Sequence, residues 1–511
     1  MSEIVVIGSG IGGLGCAAAL ARQGRRVLVL EQHNVAGGLT HTFSRGEYTW
    51  DVGVHYLGKM GPQQQVGRLL AWLTDGRLQM APLGPIYDTV RFPGGFEFAF
   101  SRPADALRHD LLEAFPESSA DIARFLAAFE QARRANELPF QLHSVPKPLV
   151  PLIALLGRKR LRGWWSRTTR EVLSELVRDP KLRAVLSAQW QDHGGKPSEA
   201  SFGMHALIMD HYLDGAYYPV GGARAFAEAL VPTIEAAGGE VRLNAPVARI
   251  LVERGSAVGV ELEDGTRIAA RRVVSDTGVH NTVGRLLPEP MRDSPWAREL
   301  LALRPSLCHL ALYLGFEGDI RAAGASRSNV WIYETWDVEN AVCDDPFTQA
   351  DAPALFVSFP SLKDPRHAAG GGNSHTGEVI VWTSWDLFAP WEQSRYGGRP
   401  EDYAAFKAAL ERNLLAQFSR HFPALAPMIR ISELSTPLSA AHFTRAHRGA
   451  VYGLETTPRR FLSRALHVKT PVPGLYLSGQ DPVSPGIAGA LAGGVLAAAN
   501  IDPRIFRRLS R

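Results

Sequence analysis

The chain has 511 residues, of which 45% are hydrophobic and 21% are charged, a composition typical of globular proteins rather than disordered or fibrous ones. Its formal net charge of +4 is too small to indicate nucleic-acid binding by itself. The three cysteines are far apart and form no CxxC pair, and the histidines show no metal-ligand spacing, so we expect neither a disulfide framework nor a metal site.

The N-terminus is predicted to be a buried strand. An acid at position 3 precedes a five-residue apolar run, which differs from the pattern of a signal peptide. The sequence also lacks a run of 18 apolar residues that would predict a spanning helix. We therefore expect a cytoplasmic protein in a reducing compartment, with peripheral contact to the inner face of a membrane as the alternative location.

Residues 3–31 switch from an apolar run to helical periodicity and back, which predicts a β-α-β unit. Gly8, Gly10 and Gly13 lie between strand and helix in GxGxxG spacing, and Gly12 belongs to the same loop. This spacing permits a tight turn, the approach of a pyrophosphate and close helix packing. Glu31 ends the second strand, where a carboxylate accepts hydrogen bonds from ribose hydroxyls and repels a 2′-phosphate.

A second glycine pair, Gly37 and Gly38, follows six residues after Glu31. This arrangement is typical of flavoproteins, in which the chain passes beside the pyrophosphate and the flavin, and it favours FAD over NAD. The alternative interpretation of this segment alone is an ordinary loop.

The segment from 218 to 280 predicts one helix and several short strands. We expect the helix over 223–237 and strands over 240–243, 248–253, 257–262 and 266–274. The first strand can extend the N-terminal sheet, and the hairpins form an inserted β-meander. The backbone of Val247 is a candidate neighbour of the adenine.

Near the C-terminus, PGLYLSGQDPVSPGIAGALAGG predicts a strand over 475–478 and a helix that begins near Gly486. We expect Asp481 to bond the ribityl or pyrophosphate portion of FAD, and the positive end of the helix dipole to face the flavin. Gly479, Gly486 and Ile487 complete the predicted cofactor-binding set, because their backbone can lie against the flavin. The alternative is a terminal helix that packs tightly through small residues.

These motifs together resemble the retinol saturase branch of the phytoene desaturase and carotenoid isomerase flavoproteins. The resemblance extends over nearly the whole chain, through DVGVHYLG, HNTVGRLLP, FPSLKDP and LYLSGQDPVSPGIAGALAGG. It implies flavin-dependent saturation of one double bond in a conjugated isoprenoid, a retinoid or carotenoid, or in another unsaturated lipid. Where many relatives read SNA after the meander, this chain reads Ser275, Asp276 and Thr277.

The predicted fold is α/β, with a split Rossmann-type FAD-binding domain, an inserted β-meander and a mixed α+β substrate domain. We assign residues 1–70, 215–280 and 456–511 to the FAD-binding domain, and 71–214 and 281–455 to the substrate domain. Within the latter, 368–376 is expected to be a flexible loop, and the neighbouring GEVIVWTSWDLF alternates as a strand.

Residues 138–170 are a candidate membrane-interfacial element. The segment has seven basic residues and no acid, and it contains VPLIALL and the pair Trp164 and Trp165. Apolar side chains with tryptophan and flanking bases suit a lipid surface through which a hydrophobic substrate can enter. A buried helix followed by a solvated basic face is the alternative.

Saturation of a carbon–carbon bond requires a hydride, which reduced flavin can supply, and a proton from a side chain or water. The leading candidates for the proton donor are His55 and Tyr56, which follow the glycine pair, and Tyr218 from the substrate side; further candidates are His193, His211, Tyr212 and Tyr217. Because a second strand-associated GxGxxG is missing, a nicotinamide donor such as NAD(P)H would bind without its own Rossmann unit; a quinone or a partner reductase are the alternatives.

Other functions fit the same motifs. A desaturase reverses the exchange, and a cis-trans isomerase leaves the redox state unchanged. From a different class, a lipid carrier would use FAD structurally without redox chemistry, and an amine oxidase of related fold is a further rival. We expect a hydrophobic polyene or lipid as the binding partner and no nucleic acid.

Overall fold

The computed structural model of the protein describes residues 2–136, 163–345 and 350–509. The strands of the described residues are β1 (Ser2–Ile7), β2 (Val27–Leu30), β3 (Thr42–Arg45), β4 (Tyr48–Asp51), β5 (Leu57–Gly58), β6 (Met80–Pro82), β7 (Ile86–Phe92), β8 (Phe96–Ser101), β9 (Ala216–Pro219), β10 (Glu240–Arg242), β11 (Val247–Glu253), β12 (Ser256–Leu262), β13 (Arg267–Ser275), β14 (Cys308–Glu317), β15 (Asn329–Tyr333), β16 (Ala354–Ser358), β17 (Ser374–Thr383), β18 (Ile429–Ser435) and β19 (Leu475–Leu477).

The helices of the described residues are α1 (Ile11–Ala21), α2 (Gln65–Thr74), α3 (Ala104–Ala114), α4 (Ser119–Ala135), α5 (Thr169–Leu176), α6 (Pro180–Ser187), α7 (Phe202–Tyr212), α8 (Ala225–Ala236), α9 (Val279–Asn281), α10 (Glu289–Arg292), α11 (Pro295–Leu301), α12 (Pro360–Lys363), α13 (Pro365–Ala369), α14 (Glu401–His421), α15 (Pro437–Thr444), α16 (Pro458–Leu462), α17 (Gly486–Ile501) and α18 (Phe506–Leu509). A 3-10 helix over Ala188–His193 follows α6 and contributes to the site described below.

The first sheet combines a parallel nucleotide-binding core with a meander. Strands β10, β2, β1, β13 and β19 run parallel, and β13 continues antiparallel to β12, which pairs with β11. The first residues of β13 pair with β12, and its residues from Ala270 onward pair with β1. Strand β13 therefore belongs to both the meander and the parallel sheet, because its first residues pair with β12 and its later residues pair with β1.

The second sheet has the order β18-β14-β17-β16-β15-β7-β8 and is antiparallel except where β15 runs parallel to β7. Alternate residues of its central strands point to one face, and that face turns toward the first sheet across a cavity. Helices α1, α8 and α17 pack with the first sheet around a core of small and branched apolar residues.

The α/β architecture and most of the predicted elements are confirmed. The helix expected over 223–237 is α8, and the strands expected near 240, 248, 257 and 266 are β10 to β13. The expectation of a loop over 368–376 is wrong at both ends, because α13 extends to Ala369 and β17 begins at Ser374, where its backbone pairs with β14. The domain boundaries stay a prediction, since sheet membership alone does not delimit a domain.

Most of the candidate membrane-interfacial element, 138–162, lies outside the described residues. Of its described part, Trp165 is only 1% exposed and its ring lies 4.6 Å from that of Phe461. Trp165 is therefore a core residue and cannot contact lipid, which corrects the expectation for this half of the tryptophan pair. Among the residues that the structure describes, we find no helix with the length and hydropathy needed to cross a membrane.

Candidate functional site

One continuous cavity lies between the carboxyl ends of the parallel strands and the inner face of the second sheet. Its walls include the segments that follow β1, β2, β13 and β19, together with side chains of β14 to β17. Ligands of open α/β sheets bind at this end of the strands, where the loops diverge. The cavity is therefore the candidate site, with a dinucleotide side on the first sheet and an aromatic side on the second.

The turn between β1 and α1 forms part of the dinucleotide side. Gly8, Gly10 and Gly12 line the cavity. Gly13 lies behind them, where a Cβ atom would overlap the carbonyl oxygen of Gly8. The spacing thus serves two purposes: it leaves bare backbone facing the cavity and lets α1 pack closely on β1.

Glu31 lies at the cavity wall, directly after β2, and is 7% exposed. Its Oε2 accepts hydrogen bonds from the amide and hydroxyl of Ser9 at 2.8 and 2.7 Å, and its Oε1 accepts one from the His33 amide at 2.8 Å. These bonds fix the carboxylate at the edge of the glycine turn. A carboxylate has about four acceptor sites, so capacity remains for a hydroxyl group. The contact with ribose stays a prediction.

The second glycine pair packs against the first turn. The Gly37 amide donates to the Ser9 carbonyl at 3.0 Å, and both Gly37 and Gly38 line the cavity. Gly38 has a φ of +56°, and a Cβ there would lie 3.0 Å from the Cα of Gly10. Glycine at this position lets two backbone segments of the cavity wall approach each other.

Four further residues predicted to bind the cofactor also line the cavity: Val247, Gly479, Gly486 and Ile487. The glycines deeper in α17 have another role. A Cβ at Gly493 would overlap the carbonyl oxygen of Gly479, and one at Gly494 would overlap that of Gly12. The small residues of this helix therefore allow it to pack against the backbone of both loops, and only its first turns face the cavity.

Asp481 lines the cavity but is 3% exposed, and its carboxylate is already bonded to backbone. Its Oδ2 accepts from the Val279 amide at 2.7 Å and its Oδ1 from the Leu454 amide at 2.9 Å. These two bonds join three loops and leave acceptor capacity on the carboxylate, so the contact of Asp481 with the ribityl or pyrophosphate portion stays a prediction. A position after a strand indicated proximity to the cavity but not the direction of the side chain.

Asp276, which follows β13, extends its carboxyl group into the glycine turn. A Cβ at Gly10 would lie 2.8 Å from its Oδ2, and Oδ1 is shielded from solvent without a hydrogen-bond partner among the described residues. Burial raises the pKa of Asp276 to about 7, and the Gly13 amide partly opposes this shift. A substantial fraction of the group is therefore an uncharged acid near neutral pH.

The residues on this side fit FAD. Bare glycine backbone at a helix N-terminus suits a pyrophosphate, the fixed carboxylate of Glu31 suits unphosphorylated ribose, and a neutral Asp276 does not repel phosphate. The shielded Oδ1 of Asp276 is a further polar atom that a bound group can satisfy.

The aromatic side of the cavity is a cross-strand row on the second sheet. Ile380 pairs with Phe356, which pairs with Trp331, and the rings of the last two lie 4.4 Å apart. The row is extended by Trp382 and His309, which pair across β17 and β14, and Tyr452 stacks on Trp382 at 5.8 Å. A flat, apolar, conjugated molecule suits such a surface.

Behind this apolar row lies a second, polar row on the same sheet face, made of four buried residues: Glu378, Ser358, Asn329 and Asp88. The ammonium of Lys363, at the end of α12, is also buried; it donates to Ser358 Oγ at 2.7 Å, to the His55 carbonyl at 2.8 Å and to Asn329 Oδ1. Burial lowers the pKa of Lys363 to about 7 and raises that of Glu378 to about 8. The row thus holds groups that titrate near neutral pH.

Of the three predicted proton donors, only His55 lines the cavity. Its Nδ1 lies 2.8 Å from Glu378 Oε2. Burial, together with the charge of Lys363, lowers the pKa of His55 to about 3. Burial therefore favours the neutral imidazole, and the role of His55 as proton donor stays a prediction.

Tyr56 lies one layer behind the cavity wall and connects two carboxyl groups. Its hydroxyl oxygen is 2.6 Å from Asp192 Oδ2 and 2.9 Å from Asp88 Oδ2, and its ring stacks on that of Tyr212 at 4.3 Å. Asp192, in the 3-10 helix after α6, lines the cavity beside Gln191. Tyr56 therefore reaches the cavity through Asp192.

Tyr218 does not line this cavity; its hydroxyl donates to Asp51, whose other oxygen accepts from the Ala223 amide at 2.8 Å. Its expected role as a direct proton donor is corrected accordingly. The four further candidates, His193, His211, Tyr212 and Tyr217, are also not among the residues that line the cavity. His193 is buried and bonds Thr456 and His205, and the half-buried His211 accepts from the Gly58 amide, so both have structural partners.

Sequence reasoning missed Asp192, Glu378 and Lys363. The sequence analysis named His193 as a candidate proton donor because histidine is a common general acid. The adjacent carboxyl group of Asp192 was an equally good candidate, since it also lies next to a buried segment. The motif FPSLKDP marked the position of Lys363 without indicating that its side chain is buried.

Comparison with known proteins defines the family. The model of the flavin-containing amine oxidoreductase family matches residues 11–502. All-trans-retinol 13,14-reductase of Rattus norvegicus is 34% identical, with 98% of this chain and 86% of that protein covered. The chloroplastic prolycopene isomerase of Daucus carota is 25% identical over 95% of this chain and 77% of its own length.

A solved structure of an oxidoreductase from Methanosarcina mazei has the same fold. It superposes with a TM-score of 0.62, covers 96% of this chain and 98% of its own, and is 18% identical. At this identity the likeness concerns the fold alone. The predicted resemblance and the predicted flavoprotein fold are both confirmed.

Proposed function

Because the chain belongs to the flavin-containing amine oxidoreductase family, in the group that includes the all-trans-retinol 13,14-reductases, we propose that it saturates one carbon–carbon double bond of a conjugated isoprenoid such as a retinoid. It is an FAD-dependent oxidoreductase. The proposal therefore concerns the substrate and the direction of the reaction.

One observation carries this proposal: a single cavity joins the FAD-type glycine turn to an aromatic row without an intervening wall. A substrate that lies along Phe356, Trp331 and Trp382 would therefore share the cavity with the cofactor. An elongated polyene has the flatness and apolar character that this row favours.

When bound, reduced FAD supplies a hydride. The residues of this chain have other tasks: the glycine turn and Glu31 hold the dinucleotide, and the aromatic row orients the substrate plane. The same row keeps water away from the reacting carbons, because its side chains are largely buried. Reduction also requires a proton, which an acid of the cavity wall must deliver.

A second candidate function is redox-neutral cis-trans isomerisation, which the similarity to a prolycopene isomerase favours. The two functions differ in whether turnover oxidises the flavin. The flavin would be oxidised by a saturase and left unchanged by an isomerase.

For the electron donor, we propose a reduced nicotinamide, NAD(P)H, as the first compound to test, with a quinol or a partner reductase as the alternatives. Peripheral contact with the inner face of a membrane stays a prediction of the sequence, because residues 138–162 lie outside the described part of the chain. The cytoplasmic location also stays a prediction of the sequence.

The test is a single-turnover experiment. The FAD-loaded protein is reduced anaerobically with dithionite and mixed with all-trans-retinol, β-carotene or a fatty acid with a conjugated triene, while flavin and polyene absorbance are followed together. Reoxidation of the flavin with an equal loss of conjugation supports a saturase. Failure of all three compounds to reoxidise the flavin would contradict the proposal, and a change of polyene spectrum at constant flavin absorbance would favour the isomerase.

A further inference from the structure

Tyr56 has one hydroxyl proton and two carboxyl neighbours. Its oxygen lies 2.9 Å from Asp88 Oδ2 and 2.6 Å from Asp192 Oδ2, and both distances are those of hydrogen bonds. A hydroxyl can donate one hydrogen bond only, so it must accept the other. One of the two aspartates therefore carries a proton.

Asp88 is the ionised member of this pair. Its Oδ2 accepts from the Gln189 amide at 2.8 Å, and its Oδ1 accepts from the Asn329 amide at 3.0 Å. The oxygen of the same Asn329 amide accepts from the ammonium of Lys363, so a cation is coupled to Asp88 through one residue. Burial raises the pKa of Asp88 as well, but hydrogen bonds from Asn329, Gln189 and Tyr56 oppose this shift, whereas Tyr56 alone opposes it at Asp192.

Asp192 is the protonated member. Among the described residues, Tyr56 is the only hydrogen-bond partner of its side chain, and no basic group is bonded to it. A proton on Asp192 lets the carboxyl donate to Tyr56, which then donates to Asp88. Burial and the negative charge of Asp88 both raise the pKa of Asp192 well above its usual range, in agreement with this assignment.

Four acidic residues line the cavity in the described part of the chain: Glu31, Asp192, Asp276 and Asp481. Three of them surround the dinucleotide side, and Asp192 lies with Gln191 near the aromatic row. Of the other titratable groups of that region, His309 is shifted toward its neutral form and Tyr452 is a weaker acid than a carboxyl group. Burial lowers the pKa of His309 to about 4, and it raises the pKa of Tyr452 far above its usual range.

From this proton arrangement we infer that Asp192 is the acid that protonates the substrate, with Tyr56 and Asp88 as the positioning residues that keep it protonated. The inference rests on the proposed function and adds to it the residue that supplies the proton.

The hydride from reduced flavin forms a C–H bond at one carbon of the double bond, and the π-electron pair moves to the other carbon. That carbon takes the proton of Asp192, so one O–H bond breaks and a second C–H bond forms. The flavin is oxidised, the double bond is reduced, and Asp192 becomes a carboxylate next to Asp88, where like-charge repulsion favours its return to the acid by uptake of a proton from water.

The test compares the wild type with Asp192→Asn and with a matched control, Asp214→Asn, whose carboxylate is 51% exposed beside Lys59. Each protein is loaded with FAD, reduced with dithionite in D2O without oxygen and mixed with the three polyenes named above. We expect reoxidation by Asp192→Asn to be at least about 100-fold slower, the lower range for general acid catalysis. The control should match the wild type.

Two further measurements distinguish the loss of a proton donor from a general structural effect of the Asp192→Asn substitution. The wild-type product formed in D2O should carry deuterium at both carbons, because dithionite supplies only electrons and the hydride that the flavin transfers also derives from solvent. At the carbon that Asp192 protonates, the deuterium should lie on one face, whereas Asp192→Asn should give both configurations there because water then supplies the proton. The infrared difference spectrum of the oxidised wild type minus Asp192→Asn at neutral pH should contain a carboxylic-acid C=O band that the difference for Asp214→Asn lacks. Bands of Glu378, Asp276 and Asp51, whose pKa values are also raised, cancel in both differences. If Asp192→Asn does not fold, Asp192→Glu, which retains an acid, should keep the one-face incorporation.

The outcomes are distinguishable. If no polyene reoxidises the wild type, the proposed function fails and the inference fails with it. If the wild type turns over and Asp192→Asn does so equally fast, or if the difference spectrum between these two proteins lacks a carboxylic-acid band, the inference alone is overturned.

Discussion

The Nδ1 atom of His55 lies 2.8 Å from Oε2 of Glu378, so a residue next to the glycine pair is joined to the middle of a strand in the second sheet. Glu378 is 0% exposed, and Lys363 and Asp51 are the charged groups that act on it from neighbouring elements. Several groups that titrate near neutral pH therefore lie between the two sheets, directly behind the cavity wall. Their protonation is coupled to stability.

We expect the free energy of unfolding to fall between about pH 4.5 and pH 8 because of Glu378, whose pKa is raised from 4.5 to about 8 by burial. A folded-state pKa above the unfolded value means that the stabilising contribution is complete below pH 4.5 and is lost as the pH rises through 8. Glu378→Gln should weaken this decline. Asp51 acts in the same direction, and Lys363, whose pKa is lowered, opposes it above pH 7.

Chemical denaturation of the wild type and Glu378→Gln across this pH range provides the measurement. Glu317→Gln, a change at an exposed carboxylate on the neighbouring strand β14, is the control. Identical pH profiles for the wild type and Glu378→Gln would show that Glu378 is ionised in the folded protein.

FAD affinity should decrease as the pH rises through about 7 because Asp276, in the glycine turn, then becomes charged. The Gly13 amide and Ser478 favour the charged form of this group, whereas burial, Glu31 and Asp481 favour the neutral form. A charge beside a pyrophosphate should weaken binding about tenfold, corresponding to ~1.4 kcal/mol. Asp276→Asn should bind FAD with little pH dependence.

Titration of apoprotein with FAD at pH 6 and pH 8.5, followed by flavin fluorescence, measures this effect. If the affinity of Asp276→Asn changes with pH as steeply as that of the wild type, another group is responsible for the change.

Gly494→Ala should destabilise the protein and release FAD, because the new Cβ would overlap the carbonyl oxygen of Gly12. Alanine is favoured over glycine in a helix by about 1 kcal/mol, but overpacking of a close contact costs about 1 to 3 kcal/mol, so we expect the clash to dominate. Gly372→Ala, at a position where a Cβ meets only one atom at 3.9 Å, is the matched control. Thermal unfolding and flavin content measure both effects, and equal melting temperatures for all three proteins would contradict the packing argument.

Tyr56→Phe and Tyr218→Phe should behave differently although both remove a buried hydroxyl that bonds an aspartate. Loss of the Tyr56 hydroxyl removes the link between Asp192 and Asp88, and we expect single-turnover reoxidation to slow by about 10- to 100-fold, as for ~1.5–3 kcal/mol of a hydrogen bond to a charged group. Tyr218→Phe should lower stability and leave the rate nearly unchanged, because its partner Asp51 does not line the cavity. Equal rate losses in both variants would indicate a general structural effect.

The sequence alone determined the parts of this protein that depend on local patterns. Short stretches of sequence encode four features: the glycine spacing after β1, the acid that follows β2, the hairpins of the meander and the small-residue helix α17. Hydrophobic periodicity and turn residues within each stretch are sufficient to predict them. The family resemblance rested on these same segments.

Only the tertiary structure decided which polar side chains face the cavity and which hold a proton. Asp88, Asp192 and Tyr56 come from three separate segments, and the proton on Asp192 follows from the donors that Gln189 and Asn329 bring to its neighbour. Tyr218 was misplaced for the same reason, since its partner Asp51 comes from elsewhere in the chain. Protonation depends on burial and on the summed charges and hydrogen bonds of distant residues, which a linear pattern does not contain.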